Sequence, residues 1–307
     1  MPTRTTYRQA GARALGPFFS GTATSGSTTA LLESTVSPFK TTISADERFE
    51  NYCLYRPNAV LAADKTRTVK TYDAAAGQFT SDNPWTNNPY SGGVGEAFEL
   101  LGVLDADTLH RLVNDTLKLT DVLVDVTFTT ASSQATQHAM SQAWLTDPDD
   151  VLQVGYLATG ESFANVDPYR RVVRGEAIKT NGTVYLTGFS LPTDVTVYAK
   201  VKRPAYTYCK ANTGSYGDLT TGLTAETDEA IPEEDWVAAG VKMLAWDEFR
   251  SQFWPGNLAL AEREVARAAD RFWALANEYC DAPIKTFQPI RPWGPRGRAR
   301  VVGYPAP

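Results

Sequence analysis

The sequence predicts an α+β chain, in which N-terminal, middle and C-terminal helices form a scaffold that carries two antiparallel β-modules and ends in an extended arm. Three observations predict it. Apolar residues repeat at steps of three and four in the opening, middle and closing segments, the period of helices packed by one face. Between them, short β-branched runs alternate with turn signals, as in small antiparallel modules. From Asp281 onward, Pro283, Pro289, Pro292, Pro295, Pro305 and Pro307 argue against regular structure. A chain of 307 residues that is 43% hydrophobic can build two modest cores.

In chain order, residues 1–18 hold a short helix, with Tyr7, Ala10, Ala14 and Leu15 on one face, ended by Gly16-Pro17. Gly11 inside it costs about 1 kcal/mol relative to Ala. Residues 19–103 form a small β-sandwich or barrel, whose clearest strands are Leu54–Arg56, Thr66–Tyr72 and Gln78–Thr80. Residues 104–120 form a linking helix capped by Asp105, with Leu109, Leu112, Val113 and Leu117 as its stripe. A second β-domain spans 121–222 and contains Val122–Thr130 and Val195–Val201. Within it, Asn181-Gly182 is the strongest two-residue hairpin signal available. Residues 223–281 read as an αα-hairpin of helices 233–253 and 258–279, with Glu233, Glu234 and Asp235 at the positive end of the first dipole and Asn257 capping the second. Residues 282–307 are a basic, proline-rich arm.

Charge and motifs restrict the chemistry. The net charge of -6 argues against a general nucleic-acid binder. Lys285, Arg291, Arg296, Arg298 and Arg300 nevertheless stand in a terminal stretch with no acidic residue. Cys53, Cys209 and Cys280 lack metal or disulfide spacing and are expected as reduced thiols, mostly buried. No apolar run reaches about 20 residues and the start lacks a secretory pattern, so a soluble protein made in a cytoplasm is expected. Nucleophile-elbow, zincin and P-loop motifs are absent, and Gly92–Gly95 reads as a turn. His110 and His138 stand too far apart in sequence to suggest a metal or catalytic pair. Asp147–Asp150 lacks the spacing of a calcium loop and reads as a surface turn. Asp228 and Glu229, with Glu233 to Asp235, could supply the paired carboxylates of glycoside chemistry but are explained more simply by a helix start. No catalytic residue, metal ligand or cofactor is expected.

The aromatic residues point to surfaces. Trp236, Trp246, Phe253, Phe272 and Trp273 lie on the terminal helices, where core or subunit-interface packing is the natural use, and they are the expected subunit-interface residues. Tyr198, Tyr206, Tyr208 and Tyr216 cluster near the end of the second β-region, as an interface patch or a ligand platform. In the arm, Arg291, Trp293, Arg296, Arg298, Arg300 and Tyr304 are the expected partner-binding residues. Extended at ~3.3 Å per residue, about 24 residues reach roughly 80 Å. Val301–Tyr304 suits strand addition to a neighbouring sheet. A frayed solvated tail is the plain alternative.

Several segments together resemble structural proteins of tailed bacteriophages: Thr6–Gly16, Ser20–Leu31, Arg67–Asp73, Gly77–Thr80, Gly95–Leu100 and Leu104–Asn114. Thr227–Pro232 followed by Trp236–Ala245 is similar to the terminal helix pair of head–tail connectors. The resemblance implies a virion neck adaptor, a homo-oligomeric ring that is commonly twelvefold and that links the portal protein to tail or neck proteins through its C-terminal extension. It also implies a virion location, no membrane and at most incidental contact with packaged DNA. The large N-terminal β-domain departs from the usual adaptor layout. A carbohydrate- or host-receptor-binding module, or another tail or baseplate protein, is the alternative, and a glycoside hydrolase comes third.

Overall fold

A computed structural model describes residues 1–32, 49–73, 76–91, 93–129, 137–140, 142–162, 164–171, 173–191, 195–280 and 287–289. Helices and antiparallel sheets are both present, so the chain is α+β. It divides into two compact units. One is made of Met1–Val122 with Pro204–Cys280; the other is made of Leu123–Arg203 with the strand Phe287–Pro289.

The first unit opens with α1 (Arg4–Leu15), whose Thr3 cap accepts from the Thr6 amide and whose Gly16 amide donates to Ala12. A sheet follows, built from β1 (Phe18–Thr22), β2 (Ser25–Gly26), β3 (Ala30–Leu32), β4 (Cys53–Tyr55), β5 (Thr66–Asp73), β6 (Gln78–Ser81) and β9 (Ala97–Leu101). Its order is β1-β9-β4-β5-β6-β3-β2, with antiparallel neighbours throughout. β5 pairs with β4 through Thr66–Thr68 and with β6 from Val69 onward, and a bulge between Val69 and Thr71 adds twist where it changes partner. Phe49 centres the core, with its ring 4.9 to 5.7 Å from those of Phe19, Tyr52, Tyr72 and Phe79. The hairpin β7 (Tyr90–Ser91) and β8 (Val94–Gly95) accounts for the glycine-rich turn.

Four helices complete this unit: α2 (Ala106–Leu119), α3 (Glu234–Glu248), the single turn α4 (Arg250–Phe253) and α5 (Leu258–Tyr279). α3 packs against α1, α2 and α5. Two glycines make the close crossings possible. A β-carbon on Gly11 would lie 2.9 Å from Val241 Cγ1, and one on Gly240 would lie 2.3 Å from Thr116 Cγ2. The intrinsic cost of Gly11 in a helix is thus the cost of bringing α1 onto α3.

The second unit contains two sheets. β10 (Asp121–Thr129), β15 (Thr196–Pro204) and β12 (Val151–Leu157) make one, in the order β10-β15-β12. β11 (Gln137–Ala139), β14 (Thr183–Thr187), β13 (Gly175–Thr180) and β16 (Phe287–Pro289) make the other, in that order. Val197, Ala199 and Val201 are buried between half-buried neighbours, the period of a one-sided strand. Thr180 faces Thr183 across a turn in which Asn181 and Gly182 both take positive φ, 50° and 83°.

The compact units cut across the boundaries expected from sequence. The helices and the N-terminal β-domain form one body, and residues 204–222 belong to it rather than to the second β-domain. Hydrogen bonds explain the reassignment: Ala205 N–H donates to Thr120 O at 2.8 Å, Lys210 N–H to Glu229 O at 3.0 Å, and Asn114 Nδ2 to Leu223 O at 3.1 Å. The expectation of no regular structure after Asp281 also needs correction. β16 lies parallel to β13, pairing Gly175 with Phe287 and Ala177 with Pro289. A proline is tolerated there because an edge strand can do without one donor.

Candidate functional site

The most concentrated group of charged side chains lies inside the first unit. Arg8 is fully buried, and its Nε and Nη2 donate to the two oxygens of Glu99, each at 2.8 Å. Its Nη1 contacts Glu226 Oε2 and lies 2.7 Å from His110 Nε2. A guanidinium can only donate, so His110 Nε2 accepts and the proton sits on Nδ1. The same nitrogen is 3.4 Å from Glu226 Oε1, and the shorter contact decides the tautomer. Tyr55 Oη and Thr5 Oγ1 donate to Glu226 at 2.6 and 2.7 Å, and Gln9 Nε2 donates to Glu99 at 2.7 Å. The guanidinium also stacks over the Tyr55 ring at 4.5 Å.

Burial, with the charges of Arg4 and Arg8, holds His110 below its ordinary pKa against the opposing pull of Glu226. Burial also works against the charge on Glu226, but the Arg8 guanidinium and the Tyr55 hydroxyl that donate to it outweigh burial and keep that carboxyl well below the usual range. A general acid must offer a proton, and a general base an open lone pair, to a substrate. Here Glu99 is 2% exposed, and both carboxylates are already committed to Arg8 and its neighbours. The hub is built to hold α1, β4, β9, α2 and the 224–230 turn together.

Sequence reasoning singled out His110 but not Arg8, Glu99 or Glu226. One signal was legible, namely a glutamate inside the apolar run Ala97–Leu101. A second pair, built on a buried arginine, is equally invisible to local pattern. Arg56 is fully buried, donates to Glu96 at 3.0 and 2.7 Å, and lies over the Trp85 ring at 5.3 Å.

The remaining acidic and titratable candidates serve turns and cores. Asp228 Oδ2 accepts from the Thr224 and Ala225 amides at 2.7 and 2.6 Å, and Glu229 pairs with Lys210 at 3.1 Å. Both therefore close the loop ahead of α3, and only Glu233, Glu234 and Asp235 stand at its start, a correction to the grouping. Asp147 accepts from the Asp149 amide in a turn before β12, as expected. His138 is buried on β11, stacked 5.2 Å from Phe189. All three cysteines are thiols; Cys209 is buried and the other two are half-buried. Burial pushes the Cys53 thiol up to about 12, which makes it a poor nucleophile. Among the described residues no group of three or more His, Cys, Asp or Glu could hold a metal ion, and no helix is long and apolar enough to cross a membrane.

The tyrosine grouping is also corrected. Tyr206, Tyr208 and Tyr216 belong to the first unit and Tyr198 to the second. Tyr208 and Tyr216 lie 5.7 Å apart, with Lys210 over Tyr216 at 5.3 Å.

The terminal helices split the five expected interface residues. Trp236 and Phe272 are 3% and 0% exposed, packed with Met243, Ala268 and Leu275 in the chain's own core, which leaves them no surface for a second copy. This corrects the expectation for those two. Trp246 and Phe253 are half-buried, and Trp254 lies 5.0 and 5.7 Å from them. Trp273 is 44% exposed, and Leu258 and Tyr279 at the two ends of α5 are 64% and 42% exposed. Between α3 and α5 runs a groove of about 190 Å³ lined by Lys242, Trp246, Glu264, Arg267 and Arg271. The arm residues Arg291, Trp293, Arg296, Arg298, Arg300 and Tyr304 lie outside the described residues. No family model, curated protein or solved structure matches the chain.

Proposed function

We propose that the chain is a non-enzymatic structural protein of a tailed-phage particle, a ring-forming connector that links the portal to the tail and grips its neighbours with its C-terminal arm. One observation carries this reading. α5 is 22 residues long, yet only Ala261, Val265, Ala268, Phe272 and Leu275 are buried, while Leu258, Trp273 and Tyr279 stay exposed. A long outer helix that keeps large apolar groups in water is the kind of surface repeated copies cover. The parallel pairing of β16 with β13 adds support, because it shows the segment after α5 engaging a sheet edge by strand addition.

In this reading the α3–α5 hairpin lines the ring, and the arm latches onto the portal or the next subunit. Many weak contacts repeated around a ring give high avidity without any strong single site. The partners are the portal, tail or neck proteins of the same virion and further copies of the chain. Truncation after Pro289 keeps β16 and removes residues 290–307. The expected result is a folded protein that leaves heads and tails unjoined in electron micrographs of a complementation assay. Normal particles made with that truncation would refute the connector reading.

A further inference from the structure

The α3–α5 hairpin carries opposite charges at two levels along its axis. At one level is the groove, where Lys242, Arg267 and Arg271 face the single carboxylate of Glu264. Glu264 is engaged by Arg267 Nη1 at 2.7 Å, and Lys242 Nζ sits over the Trp246 ring at 4.3 Å. Arg271 is exposed and forms no ion pair among the described residues. The groove therefore has an excess of positive charge on a body whose net charge is negative.

At the other level, where α3 begins and α5 ends, the charge reverses. Tyr279 Oη donates to Asp235 Oδ2 at 3.0 Å, and the charges of Glu278 and Glu233 also reach that hydroxyl. Glu233 and Asp235 are exposed, as is Glu278. The two levels are matched on both helices. Asp235 to Lys242 on α3 and Arg271 to Glu278 on α5 are each seven residues, about 10 Å of helix. Tyr279, which is 42% exposed, stands at this acidic level.

We infer that the basic groove of Lys242, Trp246, Arg267 and Arg271 receives the acidic hairpin end of Glu233, Asp235 and Glu278 from a second copy of the chain. This rests on the connector reading and gives its ring a contact. A groove that meets the opposite end of an identical hairpin is a heterologous, head-to-tail interface, and such interfaces close into rings when the rotation between copies allows it. Charge complementarity selects the register of the contact.

The test uses the purified full chain in light scattering at low salt. The wild type is expected to self-associate in a concentration-dependent way. The groove variant Lys242→Glu/Arg271→Glu and the end variant Glu233→Lys/Glu278→Lys should each weaken association at least ~10-fold. Asp235 is left unchanged because it holds Tyr279. Mixing the two variants should restore association, since each then meets its complement; the mixture also controls for misfolding. A wild type that is monomeric throughout, variants that associate normally, or a mixture that stays apart would each overturn this contact. Those outcomes leave the connector reading standing if the arm truncation still blocks joining. Conversely, normal joining by the truncation refutes the connector reading while the self-association remains measurable.

Discussion

Within the first unit, the Arg8 hub and the outer face of α5 use polar and apolar groups in opposite ways. In the hub, charged side chains are buried and their hydrogen-bonding atoms point at one another. On α5, a tryptophan, a leucine and a tyrosine remain in water, while the nearby groove leaves Arg271 without an ion pair among the described residues. A satisfied buried network fixes which segments meet, and it offers nothing further to a partner. An open face contributes little to the fold of one copy and is therefore available to another. The difference separates what makes this chain fold from what it presents to its surroundings.

The sharpest way to break that comparison is Arg8→Met. It leaves the buried Glu99 and the half-buried Glu226 without their cation, and a loss of about 3–5 kcal/mol in urea unfolding is expected. A change no larger than that of a surface substitution would show that the hub is not a fold-determining network.

The next effect concerns pH. His110 is held below its ordinary value of 6.5, so between that value and its folded pKa the unfolded chain binds the extra proton. Stability is then complete above 6.5 and falls as pH drops through that window. Glu226, held below its ordinary 4.5, adds a second loss as pH falls beneath that value. His110→Gln keeps an acceptor for Arg8 and should abolish the upper phase of a plot of urea midpoint against pH. An unchanged upper phase would assign it to another group.

The smallest effect is on the other side of the comparison. Trp273→Ser should alter unfolding by about 1 kcal/mol or less, because the residue is already 44% exposed. The same variant should self-associate more weakly in light scattering. A stability loss on the scale of Arg8→Met would mean that the α5 face belongs to the fold after all.

Much of the architecture was legible locally. Asp105 accepts from the Thr108 amide and Asn257 from the Leu260 amide, so both helix starts were readable from a capping residue before an apolar stripe. Asn181-Gly182 named its own turn. The expected subunit interface was only half legible, because periodicity tells that Trp236 and Phe272 face a neighbour but not whether that neighbour is the same chain. The hub was less legible still. Arg8 meets residues 91, 102 and 218 positions away, and no local pattern records such a pairing. Residues 204–222 carry no periodicity, since hydrogen bonds to distant parts of the sequence rather than an apolar face assign them to the first unit.

The bond from Ala205 N–H to Thr120 O sets the places where the chain leaves and re-enters the first unit beside each other. A segment whose two ends are neighbours can be lengthened, exchanged or lost without moving the body it grows from. The second module is in that sense a cassette seated in the loop between α2 and the Tyr206–Tyr216 region. Selection can redesign what it displays while the Arg8 hub and the α3–α5 hairpin keep their geometry.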